Sequence, residues 1–338
     1  MRGSGSPSGA TEALTGGRPR AAQAASRYRA PVHPFRFGVT MSRAASAEAW
    51  VASARRAEEL GYDILLMPDH LGGQLSPIAA LTAAAVATTR LRVGSYVFAN
   101  DYRHPLVLAR EAATLDWLSG GRFELGLGAG WNVADYRKLG LHYDPPPRRI
   151  DRLSEAVPLV KRLLAGEVVD HEGPHYRLDG GHVGPVPVQR PRPPLLIGGG
   201  GPRMLRLAAR EADIVALQPQ FDPRGRPKLR QVTEGATERK IAILREAAGP
   251  RFEELELNVI VGDAGLVGSG RPARESLLAA TKSVASGLVG TPYVLYGTLG
   301  QLRDQLLRRR DRLGISYYAI PGHAMEAMAP LVAALAGR

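Results

Sequence analysis

From Phe35 onward, short apolar runs alternate with longer amphipathic stretches of helical length, the pattern of repeated strand–helix units around a parallel sheet. Residues 35–40 read as the first strand. Ser46, with Glu48 in the following turn, caps a helix that runs to Leu60 before Gly61. Strand 63–67 with helix 76–88, and strand 91–98 with helix 105–118, repeat the unit. Strand 122–127 is followed by a loop holding Trp131, Asn132 and Tyr143, long enough to be functional, and then by helix 148–164. Strand 195–198 with helix 202–211, strand 213–217 with helix 228–248, and strand 255–261 with helix 272–286 add three more units. Helix 299–313 leads into an eighth strand, 316–320, and helix 324–335 follows it. Eight such strands predict an α/β fold of the (β/α)8 TIM-barrel type; an open doubly wound sheet is the rival, and the count favours closure.

Two stretches fall outside this rhythm. Residues 1–34 are rich in Gly, Ser, Ala, Pro and Arg and lack apolar periodicity, so they are expected to form a disordered basic tail ahead of one domain spanning 35–338. Residues 166–194, with paired glycines and several prolines, read as an excursion inserted between strands four and five, a small hairpin or lid. Of the net charge of +12, the first 36 residues contribute +5, from six arginines against Glu12 alone. The remainder is only moderately basic. With no zinc-finger spacing and no basic stripe interleaved with aromatics, an anionic cofactor or substrate accounts for the surplus better than nucleic acid does. The 338 residues contain no cysteine, which excludes disulfides, thiolate metal sites and cysteine nucleophiles. No apolar run approaches membrane-spanning length and no secretory signal is recognisable, so a cytoplasmic protein without membrane association is expected.

In a barrel the chemistry lies just beyond the strand C-termini. After strand two come Asp69 and His70, and after strand three Asn100, Asp101, Tyr102, Arg103 and His104. His70 beside Asp69 is the leading acid/base candidate, because imidazole titrates near neutrality. Gly126, Gly128 and Gly130 precede Trp131 and Asn132. Their spacing is not that of a dinucleotide fingerprint; either they pack the barrel rim, or they let a planar ring lie at the strand end with Trp131 as a wall. After strand five, Gly198, Gly199, Gly200 and Gly201 precede Pro202 at a helix start. Bare backbone at a helix N-terminus suits a phosphate, and a simple flexible loop is the alternative. His104 is expected to cap or orient its loop. His171, His175 and His182 are expected to be solvated loop histidines, and no catalytic metal is expected.

Taken together, FRFGVT at 35–40, PDH at 68–70, RHPLVLARE at 103–111, LDWLSGGRFELGLGAGWN at 115–132, GGGGPRMLRLAAREAD at 198–213 and GISYYAIPG at 314–322 resemble the luciferase-like monooxygenase superfamily. The similarity is to its coenzyme F420 (deazaflavin) dependent oxidoreductase branch, and it covers residues 35–338. The resemblance implies that Asp69 and His70 lie beside the deazaflavin ring, that a bulged third strand with a cis non-prolyl peptide near Tyr96 and Val97 backs it, and that Gly199–Gly201 take the phosphate. Thr40, Ser95, Gly128, Gly130, Trp131, Asn132 and Gly198 complete the implied cofactor contacts. One departure stands out: where sugar-phosphate dehydrogenases of this family carry a proton-donating glutamate after the strand-four glycines, this chain has Trp131. That leaves His70, Tyr102 or a water to supply a proton, which suits reduction of an activated C=C, C=N or C=O bond. The implied substrate is a small molecule or a modified peptide, in secondary metabolism of a bacterium. FMN with oxygen in a monooxygenase is the alternative cofactor, and a non-catalytic relative that binds a cofactor or polyanion is the alternative class. The face around residues 79–88 is a candidate homodimer contact.

Overall fold

The computed structural model describes residues 33–220, 227–268 and 290–338. The expected helix over 272–286, and the expected tail apart from His33 and Pro34, lie outside the described residues. In chain order the strands are β1 (Arg36–Thr40), β2 (Ile64–Met67), β3 (Arg92–Ser95), β4 (Phe98–Ala99), β5 (Phe123–Gly128), β6 (Val169–Glu172), β7 (Arg177–Gly181), β8 (Leu195–Gly199), β9 (Ile214–Leu217), β10 (Glu256–Ile260), β11 (Asp263–Leu266), β12 (Val294–Gly297) and β13 (Ile315–Pro321). Parallel pairing runs β3, β2, β1, β13, β10, β9, β8, β5, and β5 returns to β3 and β4, closing an eight-stranded barrel. Each predicted strand supplies one stave, with β3 and β4 together forming the third.

Alternation along the staves explains why these sequences make a barrel. Ile64, Leu66, Leu196, Ile214, Ala216, Tyr317 and Ala319 form a compact cluster inside it. Their neighbours Leu65, Met67, Leu195, Ile197, Val215, Leu217, Tyr318 and Ile320 join the larger layer under the helices. A period of two with apolar residues on both faces is what a strand buried on both sides requires. Room for the inward Ile64, Leu66 and Tyr317 comes from Gly38, where a Cβ would stand 2.9–3.3 Å from all three side chains.

The surrounding helices include α1 (Ala47–Glu59), α2 (Pro77–Ala87), α3 (Pro105–Leu118), α4 (Val133–Leu139), α5 (Pro146–Leu164), α6 (Pro202–Glu211) and α7 (Glu234–Ala248), followed by helices Leu299–Leu313 and Met325–Leu335. Ser46 caps α1 by accepting from the Ala49 amide, as its position predicts. The helix expected over 228–248 is interrupted: Leu229–Gln231 is a 3-10 turn, and Thr233 caps α7 by accepting from Ala236. A cap at Thr233 satisfies an amide that a continuous helix would have bonded internally. The excursion carries an antiparallel hairpin, β6 with β7. Two features had no counterpart in the periodicity: the seven-residue α4 and the short parallel pair β11 and β12. Among the described residues no helix is long and apolar enough to cross a membrane.

Candidate active site

Between Ser95 and Phe98 the third stave breaks, and the Tyr96–Val97 peptide is cis, at the position the family resemblance implies. The chain bulges inward there. Tyr96 turns into the barrel, where its hydroxyl meets Asn258 Oδ1 at 2.5 Å, while Val97 lies across the ends of β5 and β8. A Cβ on Gly128 would stand 2.7 Å from Val97 Cγ2, one on Gly198 would stand 3.3 Å from Val97 Cγ1, and one on Gly126 would overlap the Ser95 carbonyl oxygen. Ser95 reinforces this contact, its hydroxyl donating to the Gly126 carbonyl and accepting from the Gly126 amide. Glycines at 126 and 128 are therefore needed to seat the bulge. Gly130 adopts a left-handed φ of +73°, and a Cβ there would overlap the Tyr136 hydroxyl. Thr40, at the end of β1, donates to the Ile320 carbonyl.

The glycine run divides into packed and open positions. A Cβ on Gly199 would crowd Met204 at 2.8 Å, and one on Gly200 would overlap the Gln218 carbonyl oxygen. Gly201 is the N-cap of α6, makes no side-chain capping bond, and would present a Cβ only to Gln220 Nε2, at 3.7 Å. The amides of that first turn thus lack a side-chain cap, and α6 directs its positive dipole end toward the strand ends. Behind the run, Gln218 donates its amide to the Gly199 carbonyl. Its own carbonyl accepts from the buried Lys240 ammonium at 2.9 Å. Lys240 also donates to the Gln231 carbonyl and the Tyr293 hydroxyl, and burial pushes its pKa down to about 8. Sequence reading missed Lys240, since a lysine in an amphipathic helix ordinarily signals a solvated face.

Asp69 and His70 do not act as a pair. Successive residues of an extended segment point to opposite sides, and these two take different partners. Asp69 is buried in an ion pair with Arg103 (2.6 Å) and accepts from the Ala99 amide. Arg103 in turn reaches Glu111 and lies over the Phe98 ring. Asp69 therefore holds the loop after β4. His70 instead bonds through Nδ1 to Asp135 Oδ2 at 2.8 Å, and its ring meets Trp131 edge to face, with centroids 5.4 Å apart. Asp135 lies in α4, buried, and also accepts from the Leu71 amide and from Asn132 Nδ2. The cap motif Asn132-x-x-Asp135 was the signal available for this helix: Asn132 accepts from the Ala134 amide, and Asp135 occupies the third position.

Tyr102 packs edge to face on Tyr136. Burial, and then the nearby carboxylates of Asp135, Asp69 and Asp101, push its hydroxyl well above the ordinary tyrosine range. His104 caps α3 by accepting from the Leu106 amide, in keeping with its expected structural role. His171 is not a solvated loop histidine: its Nε2 meets Glu155 Oε1 at 2.9 Å, and the same carboxylate accepts from the His175 and Tyr176 amides. Glu155 thereby ties the hairpin to α5, and the Tyr176 hydroxyl accepts from Asn100 at the strand end. His182 is exposed, with Nδ1 near the Gly180 carbonyl.

The structure thus brings the bulge, the glycine run and the His70–Trp131 contact to the strand ends. A profile of the luciferase-like monooxygenase family matches residues 30–263. The chain is 36% identical over 165 residues to an F420-dependent glucose-6-phosphate dehydrogenase of Microbacterium testaceum, covering 46% of this chain and 48% of the relative. It is 34% identical over 146 residues to the 4-hydroxyprotoasukamycin monooxygenase of Streptomyces nodosus subsp. asukaensis, covering 41% of this chain and 37% of the relative. These matches span about half or less of each relative. Among solved structures, the coenzyme F420 dependent tetrahydromethanopterin reductase of Methanopyrus kandleri superposes with a TM-score of 0.69 at 19% identity, over 88% of this chain and 98% of that one, a likeness of fold. With the profile covering more than half of its length, the chain belongs to the luciferase-like monooxygenase family.

Proposed function

We propose that this chain is a coenzyme F420-dependent oxidoreductase that moves a hydride between the reduced deazaflavin and a small organic substrate, reducing an activated C=C, C=N or C=O bond. The observation that carries the reading is the continuity of the Val97 bulge with the glycine run. Val97 packs over Gly128 and Gly198, and three residues beyond Gly198 the backbone of Gly201 begins α6 without a side-chain cap. A planar ring on the Val97 shelf and a phosphate at the first turn of α6 suit these residues, and the F420-dependent relative supports the choice of ring. When bound, the deazaflavin supplies the hydride chemistry. The chain's own part is to orient ring and substrate and to hold or move one proton. Trp131 lies edge to face against His70, and His70 Nε2 is the nitrogen left to carry the proton once Nδ1 is engaged by Asp135.

Titration of the purified protein with F420 and with FMN tests the cofactor: tight F420 binding with weak FMN binding is expected, and the reverse overturns the reading. Replacing His70 by Ala should lower turnover by about 10²–10⁴-fold; unchanged turnover removes His70 from the chemistry. A second reading, an FMN-dependent monooxygenase using oxygen, is favoured by the match to 4-hydroxyprotoasukamycin monooxygenase. Tight FMN binding with substrate-dependent oxygen uptake would establish it instead.

A further inference from the structure

Burial first, and then the charges of three nearby carboxylates, Asp135, Asp69 and Asp101, raise the pKa of the Tyr102 hydroxyl. All three are largely buried, and each has its own basic partner. Asp69 pairs with Arg103 at 2.6 Å and Asp101 with Arg152 at 2.8 Å, permanent charges at any working pH. Asp135 has neither arginine nor lysine within ion-pair distance among the described residues; its partner is His70. Of the three partners, this is the one with two ring nitrogens, each able to hold or give up a hydrogen.

The geometry also fixes which nitrogen does which. Asp135 Oδ1 accepts from the Leu71 amide at 3.1 Å, and Oδ2 accepts from Asn132 Nδ2 at 2.8 Å. A carboxylate engaged in this way offers only lone pairs to His70 Nδ1, so Nδ1 carries the hydrogen. Neutral His70 therefore exposes a bare Nε2 as an acceptor, and protonated His70 exposes an Nε2–H donor, without any rotation of the ring between the two states. The Trp131 edge-to-face contact holds the ring from a second side.

We infer that Asp135 is the positioning residue for His70: by fixing the Nδ1–H tautomer through a buried carboxylate, it makes His70 Nε2 the single proton-exchanging atom presented to the substrate. The adjacent Asp69 cannot do this, being committed to Arg103 and the Ala99 amide. The inference rests on the proposed role of His70, yet its main test requires neither cofactor nor substrate. Long-range proton–nitrogen correlation spectra of the full chain, with His70 assigned from its disappearance in His70→Gln, report the tautomer directly. At a pH where His70 is neutral, the Nδ1–H pattern is expected. In Asp135→Asn the amide presents an N–H toward Nδ1, and the pattern should switch to Nε2–H, whereas Asp135→Glu should retain Nδ1–H. An Nε2–H tautomer in the unaltered protein overturns the inference whether or not the variant folds, as does an unchanged Nδ1–H pattern in a folded Asp135→Asn. In turnover, Asp135→Asn should reduce kcat by about 10²–10⁴-fold, with KM changed by no more than a few-fold and partial recovery in Asp135→Glu. If hydride transfer fails while the tautomer results hold, the fault lies in the reading of function and not in the role of Asp135.

Discussion

Within the glycine run, neighbouring residues are glycine for different reasons, and substitution separates them. At Gly200 any side chain meets the Gln218 carbonyl, a backbone group pinned from behind by Lys240, so the collision cannot be relieved by a rotamer change. Gly200→Ala should destabilise the fold by about 1–3 kcal/mol, seen as a lowered Tm. At Gly201 the space is open and the residue is an N-cap with φ −89° and ψ 151°, angles that serine adopts freely. Gly201→Ser should add a cap and stabilise by a few tenths of a kcal/mol, roughly the reverse of the usual serine-to-glycine loss. The new hydroxyl occupies the amides that a phosphate would use, so the affinity for an anionic cofactor should fall even as Tm holds or rises. A Gly201→Ser protein that binds the cofactor as tightly as before would place the phosphate elsewhere.

At the scale of elements, the hairpin β6–β7 buries Val169 and Leu178 in the main core and is tied to α5 by one polar side chain. Glu155 on α5 receives the His171 ring and two backbone amides. Burial works against its ionised form, but the His171 bond and the Tyr176 and His175 amides outweigh this and hold its pKa below the ordinary glutamate value. Its contribution is therefore complete above the unfolded pKa and is lost as pH falls through the lower folded value. Glu155→Ala leaves those donors unpaired, at a local cost of about 1–3 kcal/mol. Amide exchange over 169–181 should accelerate while that of the barrel strands does not; uniform exchange across both would contradict the assignment. The hairpin itself was legible as an excursion, from its glycines and prolines, but not its anchor, because Glu155 lies on a helix 16 residues before His171. The same limit hid Asp135. Helix α4 has seven residues, too few for periodicity to register, and the partner it brings to His70 lies 65 residues away. Strand-end residues were readable because the barrel dictates where they go; which of them touch is decided by side-chain direction, as the separate fates of Asp69 and His70 demonstrate.

For the molecule as a whole, the end of the barrel opposite the candidate site is closed by charge. Arg36 on β1 pairs with Glu124 on β5 and with Glu256 on β10, and Arg92 on β3 pairs with Glu124 as well. Four staves are thus joined across the barrel interior, with Arg36 also lying 4.6 Å from the centre of the Tyr317 ring. Two carboxylates share Arg36, and burial, outweighing the attraction of Arg36 and aided by repulsion from Glu124, pushes the Glu256 pKa up to about 7. Asp63, which accepts from the Phe37 amide close by, is raised in the same way by burial. A carboxyl whose pKa is higher folded than unfolded binds more protons in the folded state between the two values, so its contribution to stability declines as pH rises from about 4.5 to about 7. For Glu256 that decline is on the order of 2–3 kcal/mol. Glu155 and Asp213, held below their ordinary values, act in the opposite sense below about pH 4.5. Between pH 5 and 7 the Glu256 contribution should therefore fall, against the opposite contribution of His33, whose imidazole burial holds below its ordinary value. Glu256→Gln keeps the shape and the bond to Arg36 while removing the titration, and should flatten the profile across that window. If denaturant midpoints of the variant fall between pH 5 and 7 as steeply as those of the unaltered protein, the pH dependence originates outside this ion cluster.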